Sequence, residues 1–184
     1  MLRLCSTSKV RQEILKKLGV PFIVGESDFN EEQLKIKSPR MFAYQATLGK
    51  HKKALEKYGL ELPLLIADSV VSCNGALQRK ARSVKEARDF LCLQSGGTLS
   101  VISCAILHSQ AFYCLDISVT HFTLDFFNQK DIEDYLSSDV WQNKAGAVMI
   151  EGFHKKYIKT QIGTTYNAMG LNIEALLPFL RNRI

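Results

Sequence analysis

The chain has 184 residues, 46% of them hydrophobic and 23% charged, which is ordinary for a globular protein and excludes a disordered or fibrous one. No apolar run reaches the roughly 20 residues of a membrane helix, so we expect no membrane partner. The formal net charge of +6 permits nucleic-acid binding, but the basic residues are dispersed along the chain. Dispersed basicity argues against a nucleic-acid partner and fits a small anionic ligand.

The length and the absence of a linker predict a single domain over residues 1–184. The five cysteines and four histidines lack the spacing of zinc ligands, so we expect buried thiols and no zinc site. The first residues contain no secretory signal pattern, and we therefore expect a cytoplasmic protein.

The first candidate site lies where a predicted strand passes into a predicted helix. Apolar residues at 2–5 predict the strand, and the apolar spacing over 10–18 predicts the helix. Ser6 and Ser8 lie in the turn between them, and Arg11 lies in the first helical turn. Because a helix N-terminus presents free backbone N–H groups, this turn predicts an anion site. Ser8 is equally compatible with a simple helix cap.

A long helix is predicted over 38–58, after an acidic loop at 27–32. Its later half contains the densest basic cluster of the chain: Lys50, His51, Lys52 and Lys53. We interpret Lys50 and Lys53 as part of a solvated helix face.

Asp68 is the most informative residue of the chain, because a buried strand delivers it. The nearly continuous apolar run over 62–67 predicts a strand covered on both faces, which continues to a hairpin turn at 74–75. A carboxylate in such a place must be paired, solvated in a cleft or bound to a metal ion. Basic residues near predicted element ends can accompany it: Arg11, Lys52, Lys80 and Lys144. One acid with several cations predicts a site for a polyphosphate and its metal ion.

The rest of the chain continues the alternation of helices and strands. The predicted elements are a helix over 83–93, antiparallel strands over 99–107 and 111–122, a helix over 128–136, a loop over 143–152 followed by a strand, and a last helix over 172–180. This order predicts an α/β fold with an antiparallel part.

Several blocks occur in a recognisable order along the chain. They are Cys5-Ser6-Thr7-Ser8 with Arg11, then Glu31, Lys52, Ala67-Asp68-Ser69-Val70-Val71 with Gly75 and Lys80, Lys144-Ala145-Gly146, Glu151-Gly152, and Asn167 with Gly170-Leu171. In these blocks the chain resembles the Maf (septum-formation inhibitor-like) nucleotide pyrophosphatase family over nearly its whole length. Such a colinear set is far more specific than a single phosphate loop.

The resemblance implies a fold and an activity. The implied fold is α/β, with a long curved mixed β-sheet flanked by helices and two lobes around a nucleotide cleft. The implied activity is the metal-dependent hydrolysis of a nucleoside triphosphate, standard or modified, to the monophosphate and pyrophosphate. This activity implies a nucleotide substrate. Many members of the family form dimers, so we also consider a homodimer.

The resemblance also implies roles for individual residues. Asp68 is our choice for the base that activates water and, with Glu31, for the ligands of Mg²⁺ or Mn²⁺. The residues implied to hold phosphate oxygens are Ser6, Ser8, Arg11, Lys52 and Lys80. Lys144 either holds its own loop or contacts the nucleobase. Glu31 has the simple alternative of an exposed loop acid.

Glu151 bears on the choice of nucleobase. In the family, a Gln at this position goes with dTTP and UTP, whereas a Glu resembles the branch that acts on 7-methyl-GTP. A carboxylate accepts hydrogen bonds from the N1–H and exocyclic amine of guanine. The motif around Lys144 resembles the other branch, so the preferred base stays open.

The chain departs from the family pattern at some positions. Val10 stands where many members have an arginine, and Lys9 and Ala81 replace prolines. The loss of an arginine puts triphosphate affinity in doubt, although Arg11 keeps one guanidinium for a bidentate contact. The rival functions are a nucleotide-binding regulator of septum formation without catalysis and a nucleic-acid-binding protein. The presence of Asp68, Glu31, Lys52 and Lys80 together favours the enzyme, because a regulator needs the cations but no base.

Overall fold

The computed structural model describes residues 1–181, so residues 182–184 of the predicted domain lie outside the described residues. The strands are β1 (Leu2–Cys5), β2 (Phe22–Gly25), β3 (Leu64–Cys73), β4 (Ala76–Gln78), β5 (Thr98–His108), β6 (Tyr113–Leu124) and β7 (Ile158–Ile162). The helices are α1 (Lys9–Lys17), α2 (Pro39–Tyr58), α3 (Val84–Gln94), α4 (Gln129–Ser137), α5 (Thr165–Ala168) and α6 (Ile173–Arg181). Two 3₁₀ turns cover Glu31–Gln33 and Phe153–Tyr157.

The strands form one mixed seven-stranded sheet in the order β2-β1-β3-β5-β6-β7, with β4 paired to β3. β1 runs parallel to both β2 and β3, whereas the pairs β3–β5, β5–β6 and β6–β7 are antiparallel. Helices flank this sheet, and the predicted α/β fold class is confirmed. The parallel part comes from the crossovers through α1 and α2. In the antiparallel part, β5 and β6 form a direct hairpin, whereas the connections from β3 to β5 and from β6 to β7 contain α3 and α4, respectively.

Local capping chemistry fixes the ends of the helices as the sequence predicts. Ser8, Ser38 and Ser83 each accept a hydrogen bond from a backbone N–H in the first turn of α1, α2 and α3, respectively. Gly59 ends α2 with a φ of 59°. The short helix α5, which begins after its cap Thr164, has no counterpart among the predicted elements, because four residues are too few to show a helical period.

The hydrophobic core divides into parts along the long strands. Leu65 and Ala67 of β3 pack with residues of α1 and α6. Further along the strand, on the same face, Val71 and Cys73 pack instead with residues of α3 and α4. Ser69 lies between these two clusters on that face of the sheet. The opposite face is covered by α2, whose Phe42, Ala43 and Ala46 pack against Val70, Ile102 and Cys104.

One edge of β3 has a gap in its pairing. β1 pairs with β3 at Leu64 and Leu65, and β4 pairs with it from Val71 onward. Along this edge, the named strands of the described chain leave residues 66–70 without a partner. Consecutive residues of the gap point to opposite faces, so side chains of both faces border the same opening.

Two further points concern the surface. The expectation of buried thiols holds for Cys5, Cys73 and Cys104, but it is wrong for Cys92, which lies on the solvent side of α3. Within residues 1–181, no helix combines the length and the hydrophobicity that a membrane crossing requires.

Candidate active site

A cleft of about 820 Å³ opens beside the pairing gap of β3. The turn after β1, the acidic loop before α2, the middle of β3 and the segment over 142–151 all border it. It brings together every predicted site residue except Lys52: Ser6, Ser8, Arg11, Glu31, Asp68, Lys80, Lys144 and Glu151. The volume is within the range of a pocket for a molecule of nucleotide size.

Lys50 lies at the centre of the acidic part of the cleft. Its Nζ is 2.6 Å from Asp68 Oδ1 and also pairs with Glu31 Oε1. Its side chain is only 15% exposed. Both carboxylates therefore share one ammonium group, and the interpretation of Lys50 as a solvated residue is wrong.

The assignment of Lys52 to the site is corrected for the same reason. Lys50 follows the buried Ala46 and precedes the buried Ala54 by four residues each, so all three lie on the inner face of α2. Lys52 is about 200° further round the helix and is exposed to solvent. The i, i+4 spacing from Ala46 to Ala54 is the signal in the sequence that could have selected Lys50.

The loop that carries Glu31 reaches α2 because a glycine permits close approach. The Phe29 ring lies against Gly49, where an added Cβ would clash with the ring carbons of Phe29. Asn30 then caps the 3₁₀ turn that begins at Glu31. Burial raises the pKa of Glu31, but the neighbouring Lys50, with Lys80 and Arg79, outweighs burial, so the pKa lies below its ordinary value. Glu31 is thus held as a carboxylate.

Asp68 is buried and has one free oxygen. Oδ1 accepts from Lys50, whereas Oδ2 is buried without a hydrogen-bond partner among the residues that the structure describes. A buried carboxylate oxygen without a partner is costly and invites a ligand, a water molecule or a metal ion. Asp68 therefore keeps one carboxylate oxygen that the described residues do not use.

Arg11 is a clamp between three parts of the chain. Its Nε donates to Gly170 O (2.9 Å), Nη1 to Ala67 O (2.8 Å) and Ser6 Oγ (3.2 Å), and Nη2 to Ser69 Oγ (3.2 Å). Ala67 O belongs to the unpaired edge of β3. These bonds use four of the five N–H groups of the guanidinium. In this arrangement the guanidinium has no free pair of N–H groups for a bidentate phosphate contact.

The two serines of the first turn are tied to Arg11. Ser8 Oγ accepts from Arg11 N and Ser6 Oγ accepts from Ser8 N, at 3.4 Å and 3.3 Å. Ser8 is thus the N-cap of α1, which was the simple alternative for it. The hydroxyls of both serines line the cleft at the positive end of this helix.

Lys80, Lys144 and Glu151 also border the cleft. Lys80 forms a single β-bridge with Ala145, so its strand end and the Lys144 segment are adjacent. Glu151 is exposed and has no ion pair with any described residue, including Lys155. Its carboxylate is available to a ligand.

The donor set suits a hard divalent cation that also binds the substrate. Across residues 1–181, no group of three or more His, Cys, Asp or Glu side chains could hold a metal ion by itself. Asp68 and Glu31 supply carboxylate oxygens of the kind that Mg²⁺ and Mn²⁺ prefer, and the free Asp68 Oδ2 offers one position. Mg²⁺ is commonly bound by one or two carboxylates together with substrate phosphates, so these residues fit such an ion.

The mixed sheet and the cleft define a small α/β protein with a large cleft that is lined by both basic and acidic residues. A family model described as "Maf-like protein" matches residues 1–183, and the chain belongs to this family.

Curated relatives match the chain over nearly all of its length. A protein of a Nitratiruptor species is 44% identical over 184 residues, covering 99% of this chain and 100% of its own. A protein of Helicobacter pylori (strain P12) is 41% identical over 180 residues, covering 98% and 95%. A protein of Campylobacter jejuni subsp. jejuni serotype O:23/36 (strain 81-176) is 32% identical over 183 residues, covering 98% and 100%. Each of the three is named "Nucleoside triphosphate pyrophosphatase".

Proposed function

We propose that this protein is a nucleoside triphosphate pyrophosphatase that hydrolyses its substrate to the monophosphate and pyrophosphate with the help of a divalent metal ion. The observation that carries the proposal is the buried Asp68, with one oxygen on Lys50 and the other free, at the wall of a cleft of nucleotide size. The names of the relatives support the same activity.

Asp68 is the general base of the proposed reaction. A water molecule attacks the α-phosphorus and gives its proton to Asp68 Oδ2, while the bond from the α-phosphorus to the bridging oxygen breaks and pyrophosphate leaves. Lys50 holds Oδ1 and so fixes the direction of the carboxylate. The hydrogen bond and burial together prevent the side chain from turning into solvent.

The cations of the cleft neutralise the phosphates. Lys80, Lys144 and the N-terminus of α1 line the same cleft, and Arg11 adds a positive charge that its hydrogen bonds hold in place. Cleavage builds negative charge on the pyrophosphate, so positioned cations and backbone dipoles should supply much of the rate enhancement.

Asp68 and Glu31 would hold the divalent ion. When bound, such an ion neutralises charge on the phosphate oxygens and so favours the departure of pyrophosphate. Lys50 now lies between the two carboxylates and neutralises one of their two charges. Arg79 and Lys80 also lie near Glu31, so the feature that offers a place for a cation is Asp68 Oδ2, which no described residue binds, and not an excess of negative charge.

Glu151 is the residue that we propose to read the nucleobase. Its exposed carboxylate lies at the cleft and can accept from the edge of guanine. A preference for guanine nucleotides, 7-methyl-GTP among them, is the first choice, and dTTP or UTP is the alternative.

The test is release of pyrophosphate from a panel of standard and modified nucleoside triphosphates, with Mg²⁺, Mn²⁺ or chelator. We expect release for at least one nucleotide, dependence on metal, and loss of activity in Asp68→Asn. If the wild type binds nucleotides tightly but releases no pyrophosphate, the proposal is wrong and the protein is better described as a nucleotide-binding regulator.

A further inference from the structure

Three hydrogen-bonded polar side chains lie in the hydrophobic core next to residues 142–151, the segment that borders the cleft and is called the cleft segment below. His154 and Gln94 are 0% exposed and Gln78 is 3% exposed. Their surroundings are apolar, because the Phe127 and Phe153 rings contact His154 edge to face. None of the three lines the cleft.

The hydrogen bonds of these three side chains lead to the backbone of the cleft segment. His154 Nδ1 accepts from Met149 N (3.1 Å), so Nε2 carries the proton and donates to Gln94 Oε1 (2.8 Å). Gln94 Nε2 then donates to Gly146 O and to Gln78 Oε1, both at 2.8 Å. His154 and Gln94 therefore hold the segment at two backbone positions.

Those two positions lie next to the residues that face the ligand. Gly146 is two residues after Lys144, and Met149 is two residues before Glu151. Gly146 has a φ of 59°, and an added Cβ would lie 2.9 Å from Val71 of β3. The segment thus packs tightly on β3. Loss of the hydrogen bonds to Gly146 and Met149 should therefore displace the side chains of Lys144 and Glu151.

Gln78 differs from the other two side chains in its hydrogen bonds. It accepts one bond from Gln94 but makes no side-chain bond to the cleft segment, and its own Nε2 has no partner among the described residues. Replacing Gln78 by Leu removes its own unpaired buried donor and leaves both backbone tethers in place, although one N–H of Gln94 loses its acceptor. Gln78 is therefore a matched control for the other two residues.

We infer that Gln94 and His154 are positioning residues that hold Lys144 and Glu151 at the nucleotide, and so set substrate affinity and base discrimination. The inference rests on the proposed function. Neither residue touches the substrate, and each acts through the backbone of residues 146–149. Buried polar side chains in an apolar core are costly, which argues for a purpose beyond filling space.

The experiment compares Gln78→Leu with the triple variant Gln78→Leu, Gln94→Leu, His154→Leu. The two proteins differ only by the tethers. The triple variant leaves no unpaired side-chain amide among the three positions, but Gly146 O and Met149 N lose their partners. For Gln78→Leu we expect wild-type kinetics. For the triple variant we expect KM to rise about 10-fold or more, with kcat changed by less than about 3-fold.

A second readout does not depend on turnover. Amide hydrogen exchange over residues 143–152 should be at least about 10-fold faster in the triple variant than in Gln78→Leu. If the triple variant does not fold, His154→Gln replaces it, because that variant keeps a donor toward Gln94 and loses only the acceptor for Met149 N. Its expected rise in KM is about 3-fold or more.

The outcomes separate the two proposals. An active wild type with unchanged KM, base discrimination and amide exchange in a folded triple variant overturns the positioning role. A wild type without pyrophosphate release on any nucleotide overturns the proposed function. In that case the dissociation constants of the same nucleotides test the positioning role, and equal values for both variants refute it.

Discussion

Asp68 is the residue on which the proposed chemistry depends. Asp68→Asn keeps the shape of the side chain but removes the base, so we expect kcat to fall by about 10²- to 10⁴-fold. Thermal unfolding should show that the variant folds. A folded variant with near wild-type turnover would assign the base elsewhere.

Lys50 and Lys52 provide a matched pair on one helix. Lys50→Met removes the ammonium shared by Asp68 and Glu31 and leaves two carboxylates facing each other. We expect kcat/KM to fall by about 10²-fold or more, the scale of one lost catalytic contact. Lys52→Met changes only the solvent face of α2 and should keep the wild-type kcat/KM. Equal losses of kcat/KM in both variants would mean that Lys52 contributes to the site as much as Lys50.

Glu151 is tested by a ratio and not by an absolute rate. Glu151→Gln exchanges an acceptor for a donor at one position, which should cost a guanine substrate about 1–3 kcal/mol and a uracil substrate less. The ratio of kcat/KM for guanine over uracil nucleotides should therefore fall by about 5- to 150-fold. An unchanged ratio would remove Glu151 from base recognition.

At the scale of elements, Arg11 joins α1 to the middle of β3 and to the turn before α6. Arg11→Ala leaves the carbonyl oxygens of Ala67 and Gly170 without their donors in a buried place. We expect the free energy of unfolding to fall by about 2–4 kcal/mol, measured by denaturant unfolding. Arg11→Lys keeps the charge but not the fork, so it should recover little of this stability. Full recovery in Arg11→Lys would mean that charge alone matters.

The free edge of β3 explains why the site is at this place in the sheet. β1 pairs with β3 no further than Leu65, and β4 begins its pairing only at Val71. The backbone in between would expose unpaired polar groups, and the Arg11 side chain satisfies one of them. β3 lies inside the sheet, so this gap in its pairing is flanked by β1 and β4 and is bordered by the charged groups of the cleft.

At the scale of the whole molecule, buried His154 links stability to pH. Burial lowers the pKa of His154 from 6.5 to about 3. The unfolded chain therefore binds a proton between these values and the folded chain does not, so stability is lost as pH falls below about 6.5. Near pH 5 this one proton gives a slope of about 1.4 kcal/mol per pH unit.

His154→Gln should reduce the slope of unfolding free energy against pH by about that amount near pH 5. His51, whose pKa burial also lowers, is present in both proteins and cancels in the comparison. Denaturant unfolding at a series of pH values between about 4 and 7 measures the two slopes. Identical slopes would mean that His154 titrates normally in the folded protein.

Much of the fold could be predicted from the sequence, because it is written in local patterns. The apolar run before Asp68, the caps at Ser8, Ser38 and Ser83, and the hairpin turn at Asn74 depend on neighbours a few residues away. Most residues of the cleft could be selected in the same way, because they lie at or near the ends of predicted elements. That these residues meet in one cleft is consistent with the order in which the helices and strands follow one another along the chain.

The sequence by itself determined the α/β class, the ends of most helices and the acid at the centre of the site. Only the tertiary structure decided that Lys50, and not Lys52, meets that acid, since the inner face of α2 is defined by what packs against it. It also decided that Arg11 donates its hydrogen bonds to the protein, and that Gln94 joins His154 across 60 residues. These pairings depend on contacts between distant segments, which no local pattern encodes.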